Sequence, residues 1–373
     1  MAKLKTESLA VQYRPRTLTD LVGQDHISKQ VLGMFKSGKM PSSIMLHGGT
    51  GLGKTTVARI IARMINCSAE ERDENFAPCG ECSSCRMVEH PDVLELNAAE
   101  ARGIDDVRNL IQQSKNMPSL GNKRIFILDE VHQFTPQAQQ SLLKPLEEPP
   151  SNTLWIICTM SPDKILPAIA KRCLSMQVKP VEPDVLVKRL YRVAKREGVD
   201  FKQVDDGVKV LKTIADFANG GVRASLQLLE SVLFAYKADK TVDANTVLTQ
   251  FLAGGEADQD KLAAEILFSV LAGDMKRYVK AMPADNIRAV LNKMRWLLDY
   301  LINNFVGKAK FIPYSGRAFA ALTKGSEVKV SLPRLMQIQY LLVDIEMKLN
   351  SCSIDERVVF MSTLSTQVKA DRA

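Results

Sequence analysis

A chain of 373 residues with 46% hydrophobic and 25% charged residues has the composition of a globular protein of two or three domains, without a low-complexity tract or an internal repeat. No apolar run nears the ~20 residues of a membrane span, and Met1 to Ser8 hold no signal-peptide core, so a cytosolic chain is expected. A net charge of +8 permits binding to a polyanion without naming one, and seven cysteines, four of them clustered, point in a reducing compartment to metal rather than disulfides.

Residues 10–24 read as irregular, with Arg14 and Arg16 on either side of Pro15. A helix follows, with Ile27, Val31, Leu32 and Phe35 on one face and Gly38 past its end. A short apolar strand, 43–47, then runs into Gly48-Gly49-Thr50-Gly51-Leu52-Gly53-Lys54-Thr55, and a helical pattern with Ile60, Ile61, Met64 and Ile65 runs out. The loop fits G-x-x-x-x-G-K-[ST], and its flanks distinguish it from a plain glycine-rich turn. Glycines let the backbone aim N–H groups at an anion, and the helix start adds its dipole. Lys54 is expected to reach the outer phosphates of a nucleotide and the Thr55 hydroxyl to sit on Mg²⁺.

Cys67, Cys79, Cys82 and Cys85 form C-x11-C-x2-C-x2-C. Four thiolates favour tetrahedral Zn²⁺ in a closed, structural site, with His90 as a substitute ligand. Cys158, Cys173 and Cys352 have no metal spacing and read as packing residues. Further apolar runs at 93–97, 124–129, 154–158 and 174–178 read as strands alternating with helical segments near 104–116 and 136–148. That alternation predicts a doubly wound, mainly parallel five-stranded sheet with the nucleotide at the carboxyl ends of its strands. The run Ile125 to Leu128 delivers Asp129 and Glu130 at its tip, the first placed for Mg²⁺ and the second for an attacking water. After Pro180 the pattern is helical only: 184–197, 206–218 and 222–238, then a second helical unit from about 244. Its two long stripes, Ile287 to Leu301 and Leu335 to Leu349, read as bundle core, part of the same surface packing against a neighbouring subunit. Trp155 and Trp296, the only tryptophans, offer no base-stacking platform, so sequence-specific nucleic-acid reading is not expected.

The order of these motifs resembles the AAA+ clamp-loader ATPases, most closely the gamma/tau family of bacterial DNA polymerase III. The stretches that carry it are Tyr13-Arg14-Pro15 with Val22-Gly23-Gln24, the phosphate loop, the cysteine insertion, Asp129-Glu130-Val131-His132, residues 142–150, and Lys171-Arg172-Cys173. Residues 97–108 instead resemble the matching stretch of replication factor C small subunits. The likeness is strong over about 1–235 and architectural over 244–373. It implies an α/β AAA+ module at 1–179 with a zinc insertion at about 67–85, a helical lid at 180–243 and a helical collar at 244–373.

The same resemblance implies ATP, Mg²⁺ and Zn²⁺ as cofactors, and it groups Tyr13, Arg14, Pro15, Val22 and Thr56 with the loop around ATP. Arg172 takes the place of the family's arginine finger, which enters the neighbouring subunit's ATP site; Lys171 replaces the family's serine before it. Arg223 matches the lid arginine that senses the terminal phosphate in cis, and Thr159, or in another register Met160, the polar sensor after the fourth strand. Arg102, Gly103 and Arg108 match the helix start that the family turns to the DNA backbone; Asp105 and Asp106 beside them fit equally a solvated, salt-bridged helix. Gln139 matches a coupling glutamine, and Pro145 replaces a threonine, removing a helix N–H.

The function so implied is a motor subunit that hydrolyses ATP to open a sliding clamp and place it on primer–template DNA. Its partners would be other loader subunits, in a hetero- or homo-pentamer, and its setting the bacterial cytosol or a phage-infected cell. The end of the chain near the close of the collar suits a gamma-length, truncated or phage version. A hexameric branch-migration ATPase and a non-catalytic delta-prime-like scaffold are the competing readings.

Overall fold

The computed structural model describes residues 7–100, 103–238, 256–281, 287–305, 314–324, 326, 330–351, 359–360 and 363–364. It divides into two units, Met1–Asp200 with Ala218–Ser231, and Phe201–Phe217 with Val232–Ala373.

In the first unit the strands β1 (Ser43–His47), β2 (Val93–Asn97), β3 (Arg124–Asp129), β4 (Thr153–Thr159) and β5 (Leu174–Gln177) form one sheet in the order β2-β3-β4-β1-β5. Every neighbouring pair is parallel, with His47 opposite Thr159 and Ile44 opposite Leu174. Alternation along the strands sends Ile44, Leu46, Ile125, Ile127, Leu154 and Ile156 to one face. Met45, Phe126, Leu128, Trp155 and Ile157 point to the other, where Trp155 stacks on Phe126 with ring centroids 4.6 Å apart. Helices cover both faces, which is why β3 and β4 read as unbroken apolar runs.

The first face carries the helix Asp25–Ser37, closed by Gly38 at φ 65°, and the helix Lys54–Asn66. Val57, Ile60, Ile61, Met64 and Ile65 of the latter are buried at helical spacing. The opposite face carries Ile104–Ser114 and two short helices, Pro136–Ser141 and Leu143–Glu147. The single helix expected over 136–148 is therefore broken at Leu142. Pro145 has no N–H for the carbonyl of Ser141, and its ring crowds that carbonyl. Leu142 N turns back to Gln139 O at 3.1 Å, and Leu146 N resumes helical bonding to Leu142 O, also at 3.1 Å.

With β4 between β1 and β3, the ends of all three stand side by side at one end of the sheet. That is where open parallel sheets bind ligands. The second unit is helical among its described residues: Gly207–Phe217, Glu256–Ala272, Met275–Lys280, Ile287–Phe305, Tyr314–Thr323 and Leu332–Ser351, with the last turns of Val222–Ala238. Both predicted stripes face its core, where Val290, Met294 and Leu298 join Ile338, Leu342 and Ile345 in one buried cluster. No described helix is long and apolar enough to cross a membrane.

Candidate nucleotide-binding site

The chain turns at once beyond His47. Gly48 has φ 150°, and a Cβ on it would lie 2.2 Å from Val178 O, so the close approach of the loop to the end of β5 admits only glycine. Gly51 and Gly53 also have positive φ, 72° and 110°, and Gly53 caps the helix Lys54–Asn66. The free N–H groups of that helix's first turn thus open onto the loop. Lys54 is buried, its ammonium donating to the carbonyls of Gly48 at 3.1 Å and Gly49 at 3.0 Å. The Thr55 hydroxyl donates to Asp129 Oδ2 at 2.6 Å, joining the loop after β1 to the tip of β3. A hydroxyl and a carboxylate so paired, beside a lysine and a loop of free amides, are the hard oxygen set and anion cradle that Mg²⁺ and a polyphosphate require.

Asp129 Oδ1 accepts from Glu130 N at 3.0 Å. Glu130 itself has φ 53°, a left-handed conformation that non-glycine residues rarely hold and that recurs at functional sites. Its Oε2 is buried, stands 3.3 Å from His132 Nδ1, and makes no aligned hydrogen bond. The fully buried Thr159 brings its hydroxyl to 3.2 Å from the same Nδ1 and accepts there from Ser161 N at 3.1 Å. Met160 instead is exposed, its sulfur accepting from the Thr50 hydroxyl at 3.3 Å.

A cleft of about 330 Å³ brings Tyr13, Arg14, Pro15 and Val22 together with Thr50–Thr56, Asp129, Glu130 and Arg223. Arg223 N donates to Gly51 O at 3.3 Å. Tyr13 donates to Glu197 Oε1 at 2.8 Å, and burial followed by that carboxylate pushes its phenol up to about 12. Burial and then the neighbouring guanidinium of Arg59, with Arg223 and Arg63 adding, press the Arg14 value down, the mark of a crowded positive site that an anion relieves. Sequence reasoning missed Arg59, Glu95 and Arg189 in the same cleft. Arg59 forks onto Glu95 at 2.7 and 2.8 Å, and Arg189 donates to Tyr13 O at 2.8 Å. These partners lie 36 and 176 residues apart, so no local motif announces them.

Arg172 is not in this cleft. It follows the short helix Pro167–Ala170 at the start of β5, where Ser43 Oγ donates to its carbonyl at 2.7 Å, at the opposite end of the sheet. Its guanidinium donates to Ala168 O at 2.8 Å and to Glu147 Oε1 at 2.6 Å. Gln139 is buried and ties the acidic loop to that region: its amide approaches Phe134 O and Lys164 O, and its Oε1 accepts from Leu166 N at 2.9 Å. Gly103 caps Ile104–Ser114, and Arg108 on that helix reaches Asp105 at 3.4 Å in solvent, as in the salt-bridged alternative; Arg102 lies outside the described residues, as does Cys352.

The sulfurs of Cys67, Cys79, Cys82 and Cys85 all lie within 4.8 Å of one another. Backbone amides of Cys79, Glu81, Cys82 and Cys85 point at three of them over 3.3–3.5 Å, an environment suited to thiolates and so to Zn²⁺. His90 pairs one nitrogen with Ser84 Oγ and accepts at the other from Asp92 N at 3.0 Å. His90 is not among the side chains gathered in the cluster, so the substitute-ligand reading gains no support.

A family model described as DNA polymerase III, delta subunit, matches residues 23–182. The chain is 34% identical to DNA polymerase III subunit tau of Bacillus subtilis over 224 residues, 59% of this chain and 38% of that protein. It is 34% identical to DNA polymerase III subunit gamma/tau of Mycoplasma pneumoniae over 269 residues, 71% of this chain and 37% of that one. With DNA polymerase III subunit gamma of Buchnera aphidicola subsp. Schizaphis graminum it shares 32% identity over 232 residues, 61% of this chain and 62% of the other. The chain thus spans less than two thirds of each of these relatives. Among solved structures, the RuvB Holliday junction branch migration motor of Thermotoga maritima aligns with a TM-score of 0.52 at 15% identity, over 86% of this chain and 99% of that one; this shows a shared fold.

Proposed function

We propose that the chain belongs with the clamp-loader AAA+ proteins, close to DNA polymerase III gamma/tau, and that it is an ATPase subunit of a loader that opens a ring-shaped sliding clamp and places it on primed DNA; the family match and the 32–34% identities support that reading. The observation that carries the ATPase reading is the 2.6 Å contact of Thr55 with Asp129 beside the buried Lys54. A scaffold with a degenerate site would have no use for that pairing.

In this proposal the loop of residues 48–55, through its amides beyond that of Gly48, and Lys54 bind the phosphates of ATP. Thr55 and Asp129 would hold Mg²⁺, which when bound supplies charge neutralisation at the phosphates. Glu130 orients the attacking water, Thr159 senses the phosphate end of the cleft, and Arg223 reaches the terminal phosphate in cis. Arg172 serves the neighbouring subunit, where a guanidinium stabilises charge developing on the transferred phosphoryl group. Its place at the far end of the sheet from its own loop supports a role in trans. Cys67, Cys79, Cys82 and Cys85 would hold a structural Zn²⁺. Gly103, Arg102 and Arg108 would touch DNA through its backbone, without base specificity. The division into a module at 1–179, a lid at 180–243 and a collar at 244–373, the pentameric partners and a cytoplasmic setting belong to the same proposal.

The test is steady-state ATPase of the chain, alone and with candidate co-subunits, with primed DNA and a sliding clamp added separately and together. Strong stimulation only when both are present is the expected result. Activity indifferent to the clamp but responsive to branched DNA would replace the loader with a remodelling motor.

A further inference from the structure

The tip of β3 holds a contact that the proposed chemistry does not use. Glu130 Oε2 is shielded from solvent and lacks an aligned hydrogen bond, yet His132 Nδ1 stands 3.3 Å away. The His132 side chain is only 7% exposed, so this nitrogen is not freely available to water. On its other side, at 3.2 Å, is the hydroxyl of Thr159. The Thr159 carbonyl in turn accepts the amide of Gly48, the first residue of the phosphate loop, at 3.2 Å. One ring nitrogen therefore stands between the carboxylate and a chain of contacts that ends in the loop.

A single nitrogen cannot serve both oxygens in the same way. With a proton on Nδ1 it donates to the Glu130 carboxylate; without one it accepts from the Thr159 hydroxyl, and its lone pair then faces the carboxylate. The backbone at Glu130 is left-handed, and the turn Val131–Gln133 that starts there brings His132 back over the acid. This conformation is strained for a non-glycine residue, and so needs a surrounding structure that fixes it.

We propose that His132 is a positioning residue for Glu130: its Nδ1–H fixes the carboxylate that aims the water, and the Thr159 hydroxyl oxygen, accepting a share of the same proton, links that aim to the phosphate loop. The proposal rests on the ATPase reading of the cleft and adds a residue to it. Poorly aligned catalytic hydrogen bonds are common before substrate binds, so the 3.3 Å contact is expected to tighten when ATP enters.

Two measurements on the full chain test it. In ATP turnover, His132→Ala should lower kcat roughly a hundredfold, the effect of a small misplacement of a reacting group, with KM and ATP affinity unchanged. His132→Asn, whose amide N–H reaches the position of Nδ1–H, should recover most of the loss. In a Glu130→Gln background His132→Ala should cost nothing further, since it acts through that carboxylate. Wild-type kcat in His132→Ala, equal impairment of the Ala and Asn variants, or additive losses with Glu130→Gln would each overturn the idea.

The second measurement needs no activity. The chain has four histidines, so a ¹⁵N-histidine NMR spectrum is sparse, and His132→Asn identifies the ring concerned. The expected ring carries its proton on Nδ1 and shifts in both Glu130→Gln and Thr159→Val. A ring with bare Nδ1 that is indifferent to Glu130→Gln overturns the proposal, whatever the ATPase result. An Nδ1–H ring that responds to both, in a chain without turnover, would overturn only the ATPase reading.

Discussion

Gly48→Ala is the sharpest perturbation of the phosphate loop because its cost is set by backbone geometry alone. The added Cβ would lie 2.2 Å from Val178 O, about 1 Å inside ordinary van der Waals contact, and the obstacle is backbone rather than a side chain that can swing away. At φ 150° the alanine is also strained, by roughly 1–3 kcal/mol. The loop must shift, and with it go the carbonyl that holds Lys54 Nζ at 3.1 Å and the amide that bonds Thr159 O at 3.2 Å. If binding must restore the original loop, ATP affinity falls between about fivefold and a hundredfold, taking 1.4 kcal/mol per factor of ten. A displacement of ~1 Å should cost turnover a further hundredfold. Isothermal titration with ATP and steady-state ATPase give both numbers. Gly33→Ala is the control: it sits inside the helix Asp25–Ser37 with nothing within 4 Å of its added Cβ, and should stabilise by about 0.5–1 kcal/mol without touching ATP affinity. If Gly48→Ala bound ATP within twofold of wild type while folded, the steric account of the loop would be wrong.

Arg172→Ala should leave ATP binding intact and remove DNA-stimulated hydrolysis by about a thousandfold or more; undiminished turnover would sink the trans role. Because its bond to Glu147 is half exposed to water, the same change should alter stability by no more than about 1 kcal/mol. The purified chain should carry one Zn²⁺ by elemental analysis, and a strong chelator should raise hydrogen exchange across 67–92 while leaving the buried strands protected; a metal-free chain indifferent to chelator would refute the zinc reading. Asp92 is fully buried and accepts from the amides of Ser119, Leu120 and Gly121 at 2.6, 2.7 and 2.8 Å. Burial pushes its carboxyl up, but the three amides outweigh it and hold the value below the usual carboxylate range. Its stabilisation should therefore be complete above about pH 4 and drain away only as pH falls through that lowered value. Asp92→Asn should cost about 2–4 kcal/mol at neutral pH, read as lost amide protection over 115–123, and unchanged protection there would count against the clamp.

What the sequence made legible was local in period or spacing. The loop, the strands and the four cysteines each declare themselves within about twenty residues, because a strand alternates every two positions and C-x2-C closes a turn on itself. The tip acids could be placed because a parallel sheet brings strand ends together. The Leu142 break was foreshadowed by Pro145, although its position depended on where the next free N–H resumed bonding. The pairings that cross the fold were not legible. Nothing near Glu95 announces Arg59, and Asp92 reads as an ordinary acid before a strand until three distant amides converge on it. His132 was visible only as a letter in a motif; its partnership with Thr159 needs β4 to lie beside the tip of β3.

Placing Arg172 and the phosphate loop at opposite ends of one sheet gives the first unit a direction. If Arg172 of one subunit serves the loop of the next, as proposed, the subunits must stack head to tail, a heterologous contact with no twofold axis to terminate it. Such a stack either closes into a ring, where every loop has a donor, or stays an open arc. In an open arc the last loop waits without an arginine and the first arginine points at nothing. An assembly of this polarity can therefore give its end subunits duties different from those of the subunits between them, even when all are cut from one template.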